Sequence, residues 1–236
     1  MVNADNLSLP AVSLTHQRGY RLINSKYPPI FLFDDVADED EFQCLFELQA
    51  LTNPRLSAGI GNLSVLPLSE IPFGIPGCSY AVGPFTHVNP GGSRFSDGTF
   101  GVLYIADEME TAIAEVAYHQ QGYWQAVEGF KFERLIMRGL LCTFKIDPAH
   151  TAMELPLTDA IYDPDSYAVS AQVGASLRSA GSEGIIYRSV RRAGAHCWAL
   201  FTPRGVTGVR QCAHYELIWN GKEISQIDWI KSTRHN

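Results

Sequence analysis

The sequence has no apolar run near the ~18–20 residues that a membrane helix requires, so a membrane-spanning helix is not expected. It also lacks a basic excess, since 18 Lys and Arg against 25 Asp and Glu leave a formal net charge of -7. A general nucleic-acid binder needs the opposite balance to neutralise phosphates, so direct nucleic-acid binding is not expected. Cysteine is scarce. The five residues (Cys44, Cys78, Cys142, Cys197, Cys212) are odd in number, and none forms a C-x-x-C pair. That argues against both a disulfide framework and a zinc site, and for free thiols in a reducing compartment. The first 19 residues lack a basic start followed by an apolar segment, the mark of a secretion signal, so the expected location is cytoplasmic. Several familiar catalytic signatures are missing too: no phosphate-binding loop, no H-E-x-x-H, no G-x-S-x-G elbow. The seven histidines show no metal-ligand spacing, and no metal is expected. At 59–62, Gly-Ile-Gly-Asn opens like a dinucleotide fingerprint but lacks the third glycine and a strand before it.

What is present is a chain of 236 residues with 46% hydrophobic content, enough for one sizeable core. Residues 1–19 read as a loose lead-in, and 20–23 (YRLI) as a short strand ended by Pro28 and Pro29. The acidic stretch 34–41 precedes Phe42, Leu45, Phe46 and Leu48, whose spacing predicts a helix with acidic residues at its favourable N-terminal end. Residues 74–90 read as a long ordered loop. After Tyr104, Asp107 and Glu110 have the spacing of a capping box, and Ala112, Ile113, Val116 and Ala117 form the apolar stripe of a helix. A strand or strand pair over 135–146, broken at Gly139, a helix over 169–179, and strands at 184–190 and 197–201 follow. Asn220 and Gly221 between two apolar runs predict a C-terminal hairpin over about 211–230. No repeat or low-complexity linker divides the chain, so one domain of mixed α and β elements is the simplest architecture.

The stretch 91–119 carries the candidate chemistry. Arg94 follows Gly91, Gly92 and Ser93, a turn where backbone can approach a ligand closely, and a guanidinium grips a pyrophosphate bidentately. A surface salt bridge is the plainer role for a loop arginine. Tyr104 can stack on a flat ring and offer its hydroxyl to a ligand, or simply pack in the core. Glu115 sits at the edge of the helical apolar stripe, where it can hydrogen-bond a ribose hydroxyl and stabilise a cationic sugar, or remain solvated. Arg21, on the short N-terminal strand, is one satellite. Ser189, in a basic neighbourhood with Arg188, Arg191 and Arg192, is the other, and a self-satisfied strand serine is its plainer reading. Charge, ring and carboxylate together suit a nucleotide with a phosphate, a base and a reactive sugar.

The arrangement resembles the RES family, named for an arginine, a glutamate and a serine, the toxin halves of bacterial toxin–antitoxin pairs. Its first motif looks like Gly92, Ser93, Arg94, Phe95, Gly98, Leu103, Tyr104, Ala114 and Glu115. Its serine segment is similar to 184–190 (GIIYRSV), and its opening arginine matches Arg21. Against the shorter family core, 32–90 reads as an insertion and the C-terminal hairpin as an addition, leaving 20–236 as the catalytic domain. The resemblance implies an α+β fold like the ADP-ribosyltransferases, a mixed or split β-sheet flanked by helices. It implies consumption of NAD through cleavage of the nicotinamide–ribose bond, by hydrolysis, phosphorolysis or ADP-ribosyl transfer to a protein acceptor. Glu115, Arg94 and Tyr104 would be catalytic, Arg21, Arg94, Tyr104 and Ser189 would bind NAD, and a helix-turn-helix antitoxin would be the partner. A non-catalytic nucleotide-binding or interaction module is the alternative of a different class.

Overall fold

Strand β3 (Glu133–Thr151) is the spine of the structure, a computed structural model that describes residues 9–25, 38–42 and 61–231. One edge of β3 carries β1 (Ala11–Asn24), antiparallel along most of its length. The other edge carries β6 (Val206–Trp219) up to Phe144, and then β4 (Gly184–Arg188), parallel, at Ala149, His150 and Thr151. The sheet therefore splits at the far end of β3. Strand β5 (His196–Leu200) pairs with β4 on one side and with β2 (Leu103–Ala106) on the other, and β2 touches β1 at Tyr20. The order β1-β2-β5-β4-β3-β6-β7, with β1 also on β3, thus brings five strands round in a ring. Strand β7 (Ile224–Ile230) completes the expected hairpin with β6.

Among the described residues, three α-helices longer than two turns pack on this sheet. Helix α1 (Cys78–Thr86) lies on one face, where Cys78, Ala81, Val82 and Phe85 join Leu140, Phe144 and Trp198 in an apolar cluster. Helices α2 (Met109–Gln125) and α3 (Ala168–Ser179) belong with the other cluster, in which Met109, Ala112 and Val173 meet Phe95, Ile185 and Tyr187. The fold is a single α+β unit with a mixed, split sheet, as the sequence led one to expect.

Three local expectations are corrected. The segment 74–90 is not a loop throughout, because α1 occupies 78–86. Gly83 and Pro84 disguise it, since both disfavour helix interiors, but burial of one apolar face outweighs the local penalty. The lead-in is shorter than expected, because β1 begins at Ala11 and is held by its ladder to β3. Gly139 does not end its strand, and the register shifts between Gly139 and Leu140 while β3 continues, which is a bulge. Of the acidic helix expected after 34, the described residues 39–42 are helical, with the Asp38 carboxylate accepting the Glu41 N–H at 2.9 Å. The remainder lies outside the described residues, as does the 59–60 part of the glycine pair.

One glycine fixes the distance between α3 and the turn that carries Arg94. A Cβ on Gly174 would strike the backbone carbonyl of Phe95, whereas a Cβ on Gly122 of α2 would meet open space. Alanine in an exposed helix interior is favoured over glycine by about 1 kcal/mol. Gly122→Ala should therefore stabilise the protein by up to ~1 kcal/mol, while Gly174→Ala should destabilise it by ~1–3 kcal/mol through overpacking. Chemical denaturation of the two variants checks the opposite signs.

Candidate active site

The turn before β2 is built to hold Arg94 inward. Gly92 has a φ of +75°, and a Cβ there would sit 2.6 Å from the Ser96 carbonyl oxygen, so glycine is the residue that fits. The Asn89 side chain accepts the Gly91 N–H at 3.0 Å and donates to the Gly92 carbonyl at 3.1 Å, bracing the turn from outside. From inside, the Tyr104 hydroxyl on β2 pairs with the Ser93 hydroxyl at 2.8 Å and accepts the Phe95 N–H at 2.9 Å. Burial pushes the Tyr104 phenol up to about 12, so it stays protonated.

Arg94 itself is 7% exposed. Its Nη1 donates to the carbonyl oxygens of Ile161 (3.1 Å) and Asp163 (3.0 Å), and the guanidinium lies 4.5 Å from the centre of the Tyr167 ring. Among the described residues no carboxylate forms an ion pair with it. The surface salt bridge considered as its plainer role is therefore absent from the described residues. Arg21, on β1, donates from Nη1 to the Tyr104 carbonyl at 3.0 Å, and burial lowers its pKa from the ordinary value.

Glu115 stands on α2, half-buried, and accepts a hydrogen bond of 2.6 Å at Oε1 from the Ser189 hydroxyl. Ser189 follows β4 and is 5% exposed, and its Oγ in turn accepts the N–H groups of Arg191 and Arg192 at 3.1 Å each. That turn is fastened to the start of α2. Arg192 Nη1 meets the Glu108 carboxylate at 2.6 Å and donates to the Thr111 hydroxyl at 2.9 Å. The expected capping box does not form. Glu108, not Asp107, is the N-cap, and its side chain makes no cap hydrogen bond. The Asp107 carboxylate is drawn instead to Thr111 Oγ1 (2.6 Å), the Glu108 N–H (2.8 Å) and the His196 N–H (3.0 Å), which locks α2 to β5.

Arg21, Arg94, Tyr104 and Glu115 line one cavity of about 620 Å³. Such a volume is within the range of small-molecule sites. Ser189 does not line it and acts on it through Glu115. Tyr104 presents its ring to the cavity, but its hydroxyl is spent on the turn. Among the lining residues that the sequence reading did not single out as candidates are Asn89, His119 and Tyr167. His119 had a usable signal, because it stands four positions after Glu115 on a helix and must share its face. Tyr167, in the turn before α3, had none. No group of three or more His, Cys, Asp or Glu suited to a metal occurs among the described residues.

The family model described as the RES domain matches residues 71–220. The chain belongs to the RES-domain family. The match includes 71–90, read above as part of an insertion, and leaves Arg21 outside it. A curated relative is similar, the "Uncharacterized protein y4oC" of Sinorhizobium fredii (strain NBRC 101917 / NGR234), 29% identical over 216 residues, which are 88% of this chain and 85% of that one. Among solved structures, the crystal structure of the M. tuberculosis MbcT-MbcA toxin-antitoxin complex is similar at a TM-score of 0.41 and 10% identity, covering 86% of this chain and 87% of that one.

The Tyr104 hydroxyl gives a direct test of how the turn is held. Tyr104→Phe leaves the ring in the cavity and strands the Phe95 N–H, which should lower stability by ~1–3 kcal/mol in denaturant unfolding. An unchanged unfolding midpoint would mean that the hydroxyl does not fasten the turn.

Proposed function

We propose that this protein is the toxin of a toxin–antitoxin pair and consumes NAD by breaking its nicotinamide–ribose bond. The observation that supports the reading best is a fixed carboxylate and two arginines without carboxylate partners among the described residues, all on one cavity. A buried guanidinium with no anionic partner is costly, and a bound anion would offset that cost. Arg94 has spent Nη1 on carbonyls, which leaves Nε and Nη2 to grip a diphosphate, with Arg21 beside it.

The reaction follows from the same contacts. Loss of nicotinamide from NAD develops positive charge on the ribose, an oxocarbenium-like transition state. Glu115 would face that charge and hold a ribose hydroxyl. The Ser189 hydrogen bond fixes Oε1, so the carboxylate needs no reorganisation as charge appears, and such preorganised groups are worth ~3 kcal/mol. The arginines hold the diphosphate, converting binding energy remote from the bond into a reactive pose of the sugar. Tyr104 and Tyr167 line the cavity and would pack against the flat parts of the ligand. Water, phosphate or a protein side chain then captures the sugar. A cognate helix-turn-helix antitoxin would restrain the activity, and a cytoplasmic location accords with both NAD and such a partner. No helix among the described residues is long and apolar enough to cross a membrane.

Glu115→Gln, nearly isosteric, should cut NAD turnover by ~100-fold or more, measured as nicotinamide release at saturating NAD. Equal turnover by the two proteins would remove Glu115 from the mechanism. Arg94→Lys should raise the Kd for NAD, because a lysine cannot form the planar fork that grips a diphosphate. Labelled NAD added to cell lysate separates the acceptors, since label on a protein band marks ADP-ribosyl transfer and free ADP-ribose marks hydrolysis.

A further inference from the structure

One titratable group on the cavity has no part in the mechanism above. His119 follows Glu115 by one turn of α2, and both residues line the cavity. Their surroundings differ. Glu115 is half-buried and tied to Ser189, whereas His119 is exposed, which puts it on the solvent side of the lining. Its ring is packed edge-on between Tyr118 (centroids 5.4 Å apart) and Tyr167 (6.4 Å), so its direction is restrained. Among the described residues neither ring nitrogen has a hydrogen-bond partner. A directed imidazole with both nitrogens open, one helical turn from the carboxylate and exposed to solvent, can meet an incoming acceptor.

We infer that His119 is the general base of the reaction, taking the proton of a hydroxyl-bearing acceptor as its oxygen bonds to the ribose. The inference rests on reading the cavity as an NAD site. In the step, the carbon–nitrogen bond to nicotinamide breaks and its electron pair stays on the ring nitrogen, which leaves neutral. The acceptor oxygen bonds to the same ribose carbon, and its proton passes to the free nitrogen of His119 and then to solvent. Water is the simplest acceptor of this class. Glu115 serves as the counter-charge of the ribose, so charge stabilisation and proton removal fall to two residues one helical turn apart.

The groups facing His119 agree with this role. Glu115 comes from its own helix, Arg94 from the glycine turn, and Arg191 from the turn after β4. Tyr118 and Tyr167 flank the ring, and Asp165 meets the Tyr118 hydroxyl at 3.4 Å on the far side. Although the residue is exposed, partial desolvation of its ring beside Tyr118 and Tyr167 is the largest influence and lowers the pKa of His119 from the ordinary 6.5; the two guanidiniums push the same way and Glu115 opposes them. The imidazole is therefore neutral at pH 7, with a lone pair available to accept a proton.

The test is the rate of nicotinamide release from NAD in buffer, as a function of pH, for the parent protein, His119→Gln and His119→Ala. The parent should lose activity on the acid side with an apparent pKa below 6.5. His119→Gln should turn over ~100-fold more slowly with little change in KM, and its acid limb should vanish. Added imidazole should restore part of the activity of His119→Ala, a rescue that a packing role would not show. Parental turnover and an unchanged acid limb in His119→Gln would overturn the inference alone, leaving the NAD reading intact. No release by the parent protein at any pH would overturn both. Since His119 is exposed, both variants should unfold at the parental denaturant midpoint; a lowered midpoint without imidazole rescue would make the residue structural and also overturn the inference.

Discussion

The hydrogen bond from Ser189 to Glu115 is the contact on which the site depends. It is short, 2.6 Å, and joins residues 74 positions apart in the chain. A hydroxyl donating to a carboxylate is among the stronger hydrogen bonds available to a protein. The geometry around it explains why it is stable: Ser189 Oγ accepts two backbone N–H groups of its own turn, which leaves its single proton for the carboxylate. The Arg192 contacts to Glu108 and Thr111 then hold that turn against α2, and Asp107 holds α2 against β5. Glu115 is thus oriented by a closed set of bonds, none of which uses its second oxygen.

Around this fixed carboxylate the cavity has an unbalanced charge. Arg94 is almost wholly buried, and its hydrogen bonds go to carbonyl oxygens rather than to a carboxylate. Two carbonyl dipoles and a tyrosine face offset only part of the cost of removing a full charge from water. The Arg21 environment is similar, with one carbonyl as its hydrogen-bond partner. Stability alone gives no reason to keep two such guanidiniums near one hollow. An anionic ligand does, and it would tighten the segment 161–167 at the same time, because Arg94 already grips that backbone.

Much of this was legible in the residues. The glycine turn, the tyrosine strand and the glutamate helix follow one another in 91–119, so Arg94, Tyr104 and Glu115 were readable as residues of successive elements. The C-terminal hairpin and the helix near 169–179 were readable for the same reason, from turn chemistry and helical spacing. What escaped depended on contacts distant in sequence. Helix α1 has an unhelical composition at Gly83 and Pro84 and owes its form to the sheet beneath it. Residues 11–19 become strand because β3 offers them a partner. Asp107 left its expected capping role because β5 presents the His196 N–H, a group 89 positions away. Tyr104 was assigned to the ligand by its ring and its hydroxyl, yet the hydroxyl serves the turn, a contact that no spacing rule encodes. Tyr167 reaches the site from the turn before α3 and could be placed only by the fold.

The central claim is that a guanidinium pair and a serine-held carboxylate serve one dinucleotide and loosen its pyridine. Chromatographic measurement of nicotinamide after incubating the purified protein with NAD tests it most directly. The account predicts that nicotinamide accumulates in proportion to enzyme and time, with matching loss of NAD. Tight binding of NAD that leaves it intact, or no interaction with it at all, would contradict the account.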